Sequence, residues 1–223
     1  MRFMLSSEFT QRFITSLFLG FGFWGVFFYL PPVCLSLVLI LILVLILLFE
    51  WTQFFPIKEP AFWVLMPLYL LIPFYLLISL NHNPLYHELL VLLFVIVFSF
   101  DTGSYLVGNV CGKHRIANSI SPKKTWEGFI GGYIFAFLGF VTVIFEGGYR
   151  SSPWLIAGLT AIVCILSFFG DLFESWLKRR AQLKDSGTLL PGHGGFLDRF
   201  DGIIFAVFFF YFFRETLVTL LIS

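Results

Sequence analysis

Seven apolar runs dominate this chain, near residues 13–30, 33–49, 61–80, 88–107, 128–146, 153–173 and 202–222. Each is long enough, or nearly so, to cross a hydrocarbon core, which takes roughly 20 helical residues. Of the 223 residues, 59% are hydrophobic and only 12% charged, whereas a soluble domain carries about 25% charged residues. A soluble core of this size has nowhere to put so much apolar surface. The thirty-two Phe suit lipid-facing and helix-packing positions equally. The pattern predicts an all-α, polytopic integral membrane protein of about seven transmembrane helices.

The breaks between runs follow from local chemistry. Pro31-Pro32 separates the first two runs, and Pro67 and Pro73 are expected to kink the third. Asp101 and the glycines after it interrupt the fourth, so its apolar part is expected to stop near Phe100. Arg214 and Glu215 are expected to end the last run early. Arg2 and Arg12 precede the first run in the manner of a cleaved leader. That run is long, lacks a small-x-small cleavage pattern and leads straight into another apolar run, so it reads as a retained helix. Cys34, Cys111 and Cys164 are scattered and imply neither a disulfide framework nor a zinc site. A net charge of +1 lacks the basic face that a nucleic-acid binder needs. The chain shows no internal repeat, low-complexity tract or soluble domain.

Two polar segments, about 108–127 and 175–201, hold nine of the 14 basic residues. The first carries Lys113, Arg115, Lys123 and Lys124; the second carries Lys178, Arg179, Arg180, Lys184 and Arg199. The positive-inside rule puts both in the cytoplasm, and the runs at 128–146 and 153–173 supply the even number of crossings this requires. Counting on, the N-terminus is expected inside and the C-terminus outside.

Ionisable groups at the edge of a span are costly and so are functional candidates. Asp101, Asp171, Glu174, Asp198 and Asp201 are such groups, although each taken singly reads equally as an interfacial cap. Spacing adds information. If the sixth helix continues past Asp171, then Asp171, Glu174, Ser175 and Lys178 fall at i, i+3, i+4 and i+7 on one face. Asp198 and Asp201 are likewise three apart. Together these acids suit a hard divalent cation such as magnesium, which keeps open positions for phosphates. Ser121-Pro122-Lys123-Lys124 reads as a helix start, with Ser121 as N-cap and Pro122 in the first position. A bound phosphate would offset the unfavourable lysines of that first turn; the lysines read equally as a topology signal. The glycine-rich stretch from Lys184 to Asp201, which includes His193 and Gly194, allows close backbone approach to a ligand.

These residues form a familiar pattern. Ser175-Trp176-Leu177-Lys178-Arg179, then Lys184-Asp185-Ser186-Gly187, then His193-Gly194-Gly195-Phe196-Leu197-Asp198-Arg199-Phe200-Asp201 closely resembles the phosphatidate cytidylyltransferase (CDP-diacylglycerol synthase) pattern. Asp101-Thr102-Gly103-Ser104-Tyr105 with Gly108 and Gly112-Lys113 is similar to the family's upstream motif. Ser121-Pro122-Lys123-Lys124-Thr125-Trp126-Glu127-Gly128 with Gly131-Gly132 is similar to its middle one. The resemblance covers about 101–205, and residues 1–100 match only as apolar helices. It therefore implies N-terminal transmembrane helices over 1–100 and a catalytic membrane domain over 101–223, with less N-terminal helix material than many members have. Asn109 stands where many members have Arg, and Gly202 where Ser is usual.

The resemblance implies that CTP and phosphatidic acid react to give CDP-diacylglycerol and pyrophosphate. It further implies an active site on the cytoplasmic side of a bacterial inner membrane. Expected partners are CTP, phosphatidic acid and the lipid bilayer, with a homodimer as the candidate assembly and no nucleic acid. The expected cofactor is Mg2+, with room for a second metal ion. In this reading Asp171 and Asp198 bind metal, with Glu174 and Asp201 as further ligands or supporting partners. Lys123, Lys124, Lys178 and Arg179 hold phosphate oxygens, joined by Lys184 and Arg199. Asp101 orients a lysine or helps to hold metal, and His193 and Gly194 shape the phosphate loop. A CTP-dependent polyprenol or phytol kinase is the rival enzyme, and a transporter the rival from another class. A CDP-alcohol phosphotransferase is excluded because no Arg follows Asp201-Gly202 at the required spacing.

Overall fold

The computed structural model describes residues 20–149, 151–190 and 194–221. Arg2, Arg12, the first part of the first apolar run and His193 lie outside the described residues. Helix α1 occupies Gly20–Tyr29 and stops before Pro31. It is followed by α2 (Pro32–Phe54), α3 (Pro60–His82), α4 (Pro84–Cys111), α5 (Trp126–Glu146) and α6 (Pro153–Arg180). Helices α7 (Leu197–Phe212) and α8 (Arg214–Leu221) complete the chain. Helices α2 to α6 are each long and apolar enough to cross a membrane, and α7 with α8 forms an apolar pair bent by 80°, the geometry of a broken span or a re-entrant loop. The chain is a polytopic, helical integral membrane protein. The last run does not end at Arg214 and Glu215 but bends beside them and continues as α8 to Leu221.

The described residues fall into two compact units. One lies within Met1–Phe74 and Leu177–Phe200, the other within Tyr75–Trp176 and Asp201–Ser223.

In the first unit, α2 shows how a membrane helix is sided. Leu37, Leu41 and Leu48 face outward, each more than half exposed, where lipid would cover them. Leu35, Leu39 and Ile46 form the opposite, buried stripe, and Glu50 continues it at full burial. A π-helical turn, Ile46–Glu50, sits just there; such turns are frequent at functional sites. Trp51 anchors an aromatic cluster with Phe54, Phe55, Phe62 and Tyr69, ring centroids 5.1–6.3 Å apart. Its indole N–H donates to the carbonyl of Phe62. Pro67 lies in a second π-helical turn, Met66–Leu71.

In the second unit, α4 and α5 pack closely along a glycine seam. A Cβ on Gly103 would lie 2.7 Å from the Phe135 side chain, one on Gly131 2.4 Å from Val107, and one on Gly132 2.1 Å from Ser104 Oγ. The motif glycines of both helices therefore serve interhelical approach, as small residues do in membrane bundles. With this seam on one face, α4 runs unbroken as a helix through Asp101 and Gly103 to Cys111. Tyr149, beyond α5, donates its phenol to Glu88 of α4, and this bond holds the phenol's pKa up to about 12.

A short antiparallel hairpin interrupts the helices: β1 (Arg115–Ala117) pairs with β2 (Ser121–Thr125). The reading of Ser121 and Pro122 as a helix start is overturned. The helix begins four residues later, at Trp126 in place of Pro122, with extended Thr125 as its N-cap and Thr125 Oγ1 accepting from Gly128 N–H at 3.1 Å. Glu127 then occupies the first turn, where negative charge suits the helix dipole. Its carboxylate closes the hairpin by accepting from the backbone N–H groups of Lys113 and His114 and by bonding the His114 ring at 2.5 Å.

Candidate functional site

Helix α6 extends past Asp171 to Arg180, as the face pattern predicts. Lys178, Arg179 and Arg180 fill its last turn, the favourable end for cations. Its end is a Schellman turn. Leu183 N–H reaches the Lys178 carbonyl and Gln182 N–H the Arg179 carbonyl, with Gln182 in the left-handed region at φ 57°. This turn sends the chain back into the loop that leads to α7.

Within the first unit, that loop folds around two carboxylates. Asp198, in the first turn of α7, pairs through Oδ1 with Lys178 Nζ at 2.7 Å; both side chains are nearly buried, at 11% and 12% exposure. Its Oδ2 accepts from Ser186 N–H at 3.0 Å, Ser186 Oγ at 2.9 Å and Gly195 N–H at 2.8 Å. Glu50 is the second carboxylate. It accepts from Phe196 N–H at 2.7 Å, Leu197 N–H at 2.9 Å and Ser186 Oγ at 3.1 Å. Gly194 takes φ +81°, which favours glycine, and a Cβ there would meet Asp198 Oδ2 at 2.5 Å. The loop glycines thus admit the protein's own carboxylates, and four loop N–H groups are committed to them.

Within the second unit, Lys124, the penultimate residue of β2, pairs with Asp171 Oδ2 at 2.6 Å. Lys124 also lies over the Phe168 ring, 4.7 Å from its centroid. Asp171 Oδ1 accepts from Ser175 Oγ at 3.3 Å, one turn further along α6. The Asp171 side chain is 37% exposed, unlike Asp198. Glu174 is fully buried, and Asp201 is buried with Oδ1 accepting from Gly202 N–H. A Cβ on Gly202 would lie 2.3 Å from Ser167 Oγ, so a larger residue there would require the serine side chain to turn away.

The structure therefore brings together Lys124 with Asp171, and Lys178 with Asp198. Lys123, Lys184, Arg179, Arg199 and Asp101 are exposed, and Arg179 donates to the Leu183 carbonyl. Among the described residues, no group of three or more His, Cys, Asp or Glu gathers to hold a metal ion. A closed protein cage is thus not present among them. Magnesium does not need one, because it binds through one or two carboxylates and keeps waters and substrate phosphates as its other ligands. Asp171, partly exposed and with one oxygen on a lysine, fits that requirement. Asp198 has only Oδ1 to offer. Sequence reasoning passed over Glu50 because the second apolar run was closed at residue 49; an acid at the end of a span was the available signal.

The sequence pattern of the cytidylyltransferase family matches residues 4–217. The chain belongs to that family. Among its relatives is the phosphatidate cytidylyltransferase of Staphylococcus aureus strain COL, 44% identical over 114 residues, which cover 51% of this chain and 44% of that protein. The phosphatidate cytidylyltransferase of Haemophilus influenzae is 40% identical over 168 residues, covering 70% and 58%. That of Staphylococcus saprophyticus is 37% identical over 153 residues, covering 69% and 58%. The chain spans about half the length of the curated relatives it matches.

Proposed function

We propose that this family member is a phosphatidate cytidylyltransferase, converting CTP and phosphatidic acid to CDP-diacylglycerol and pyrophosphate. The observation that carries the reading is the pairing of two motif aspartates with two motif lysines, Asp171 with Lys124 and Asp198 with Lys178. An ion pair away from water opens at little cost only when both charges find new partners together. A nucleotide triphosphate arriving with a divalent cation offers that exchange: phosphate oxygens for the ammonium groups, a cation for the carboxylates. Asp171 and Asp198 would each offer a carboxylate to magnesium, which neutralises phosphate charge, with Glu174 and Asp201 as further ligands or supporting partners.

The reacting groups need little acid–base help. A phosphatidate oxygen, already ionised, forms a bond to the α-phosphorus of CTP. The bond from that phosphorus to the bridging oxygen breaks, and pyrophosphate leaves with the electron pair. Such a step depends on positioning and charge neutralisation. Lys124 and Lys178, with Lys123, Arg179, Lys184 and Arg199, supply the countercharge. Asp101, His193 and Gly194 belong to the same proposal, as an orienting acid and a loop shaping the phosphate site.

The positive-inside rule supports a cytoplasmic site in a bacterial inner membrane. The two crossings α5 and α6 separate the basic hairpin from the basic loop.

Purified protein incubated with radiolabelled CTP, phosphatidic acid and magnesium is expected to yield a CMP-bearing lipid and pyrophosphate. Release of CDP with phosphorylation of a lipid alcohol would identify the polyprenol-kinase reaction instead, and neither product would remove the assignment.

A further inference from the structure

Glu50 lies in an apolar span, is fully buried, and yet among the described residues pairs with no lysine or arginine. Its three donors among the described residues come from the loop and the start of α7, 136 to 147 residues away along the chain. Two are the backbone N–H groups of Phe196 and Leu197, at the N-terminus of α7, where a carboxylate is favoured. The third is Ser186 Oγ. That hydroxyl carries a single proton but stands within hydrogen-bond distance of two carboxylates, Glu50 at 3.1 Å and Asp198 at 2.9 Å. Ser186 therefore couples the two acids.

The glycines agree with this arrangement. A Cβ on Gly195 would lie 2.1 Å from Ser186 Oγ and 2.5 Å from Glu50 Cδ, and one on Gly187 would lie 2.9 Å from Glu50 Cγ. The loop is shaped to receive Glu50.

We infer that Glu50 is a positioning residue for the Lys178–Asp198 pair, acting through Ser186. It fixes the start of α7, and with it the direction in which Asp198 presents Oδ1. Glu50 itself need not touch a substrate. This inference rests on the proposed cytidylyl transfer for its kinetic consequence, but its geometric consequence can be read without any turnover.

The test uses the full chain in lipid nanodiscs, with Glu50→Gln and Ser186→Ala. Glutamine sets an amide donor among the Glu50 donors; alanine removes only the hydroxyl link and leaves the backbone bonds of both acids in place. Hydrogen exchange at the Gly195 amide, bonded to Asp198 and not to Glu50, is expected to accelerate in both variants. The turnover number is expected to fall about tenfold or more, the scale of one lost charge-assisted hydrogen bond, with the KM for CTP little changed. Wild-type protection of Gly195 in Ser186→Ala, or wild-type turnover in either variant, overturns the inference. Should Glu50→Gln fail to fold, Ser186→Ala decides alone. A wild-type protein that makes no CMP-bearing lipid would defeat the proposed reaction, and Gly195 exchange would then decide the positioning role by itself.

Discussion

The two lysine–aspartate pairs have the same chemistry in different surroundings. Lys178–Asp198 is nearly buried, and its carboxylate also receives three loop donors. Lys124–Asp171 joins a hairpin end to a helix, with the acid 37% exposed and, among the described residues, the Ser175 hydroxyl as its other donor. A buried pair is costly to break, because the surviving charge is left without water. A partly exposed pair loses little, since solvent screens what remains. The difference assigns the pairs separate duties: Lys178–Asp198 organises the loop as well as offering charge, whereas Lys124–Asp171 is free to exchange partners.

Asp198→Asn is the severest test of that division. It leaves the Lys178 ammonium buried and sets an amide donor against the N–H groups of Ser186 and Gly195. A loss of about 3–5 kcal/mol is expected, read as a large fall in thermal midpoint in detergent. A midpoint near wild type would show that the buried pair organises nothing. Next in size is Thr125→Ala, which removes the N-cap of α5 beside Lys124 and is expected to cost about 1 kcal/mol. Ser121→Ala should leave the midpoint unchanged, because the helix does not start there. The reverse order would restore the helix start at Ser121 and place the lysines in a first turn.

The helices were legible because a span needs only length and hydropathy, both local properties. The extension of α6 to Arg180 was legible too, since Asp171, Ser175 and Lys178 mark one helical face within eight residues. The hairpin was not. Ser121-Pro122 has the chemistry of an N-cap and first helical residue, and nothing local ranks it below Thr125. Only pairing with Arg115–Ala117 settles the choice. In the same way, the loop glycines read as a phosphate cradle, while the group they admit, Glu50, sits 136 residues before Ser186. Contacts between distant segments decided what local pattern left open.

Only a small effect on stability is expected from Asp171→Asn, and it bears most directly on the proposed reaction. The pair it breaks is partly exposed, so the loss should lie within about 1 kcal/mol, and Lys124 keeps its place over the Phe168 ring. Function should respond quite differently. Asparagine retains the shape and the Ser175 contact of the aspartate but cannot supply the negative charge that a divalent cation requires. Cytidylyl transfer should therefore drop by orders of magnitude at ordinary magnesium while the thermal midpoint scarcely moves. Turnover near wild type, at an unchanged magnesium requirement, would remove Asp171 from the metal role. A midpoint falling as far as that of Asp198→Asn would abolish the contrast between the pairs, because exposure would then have failed to predict which carboxylate the fold can spare.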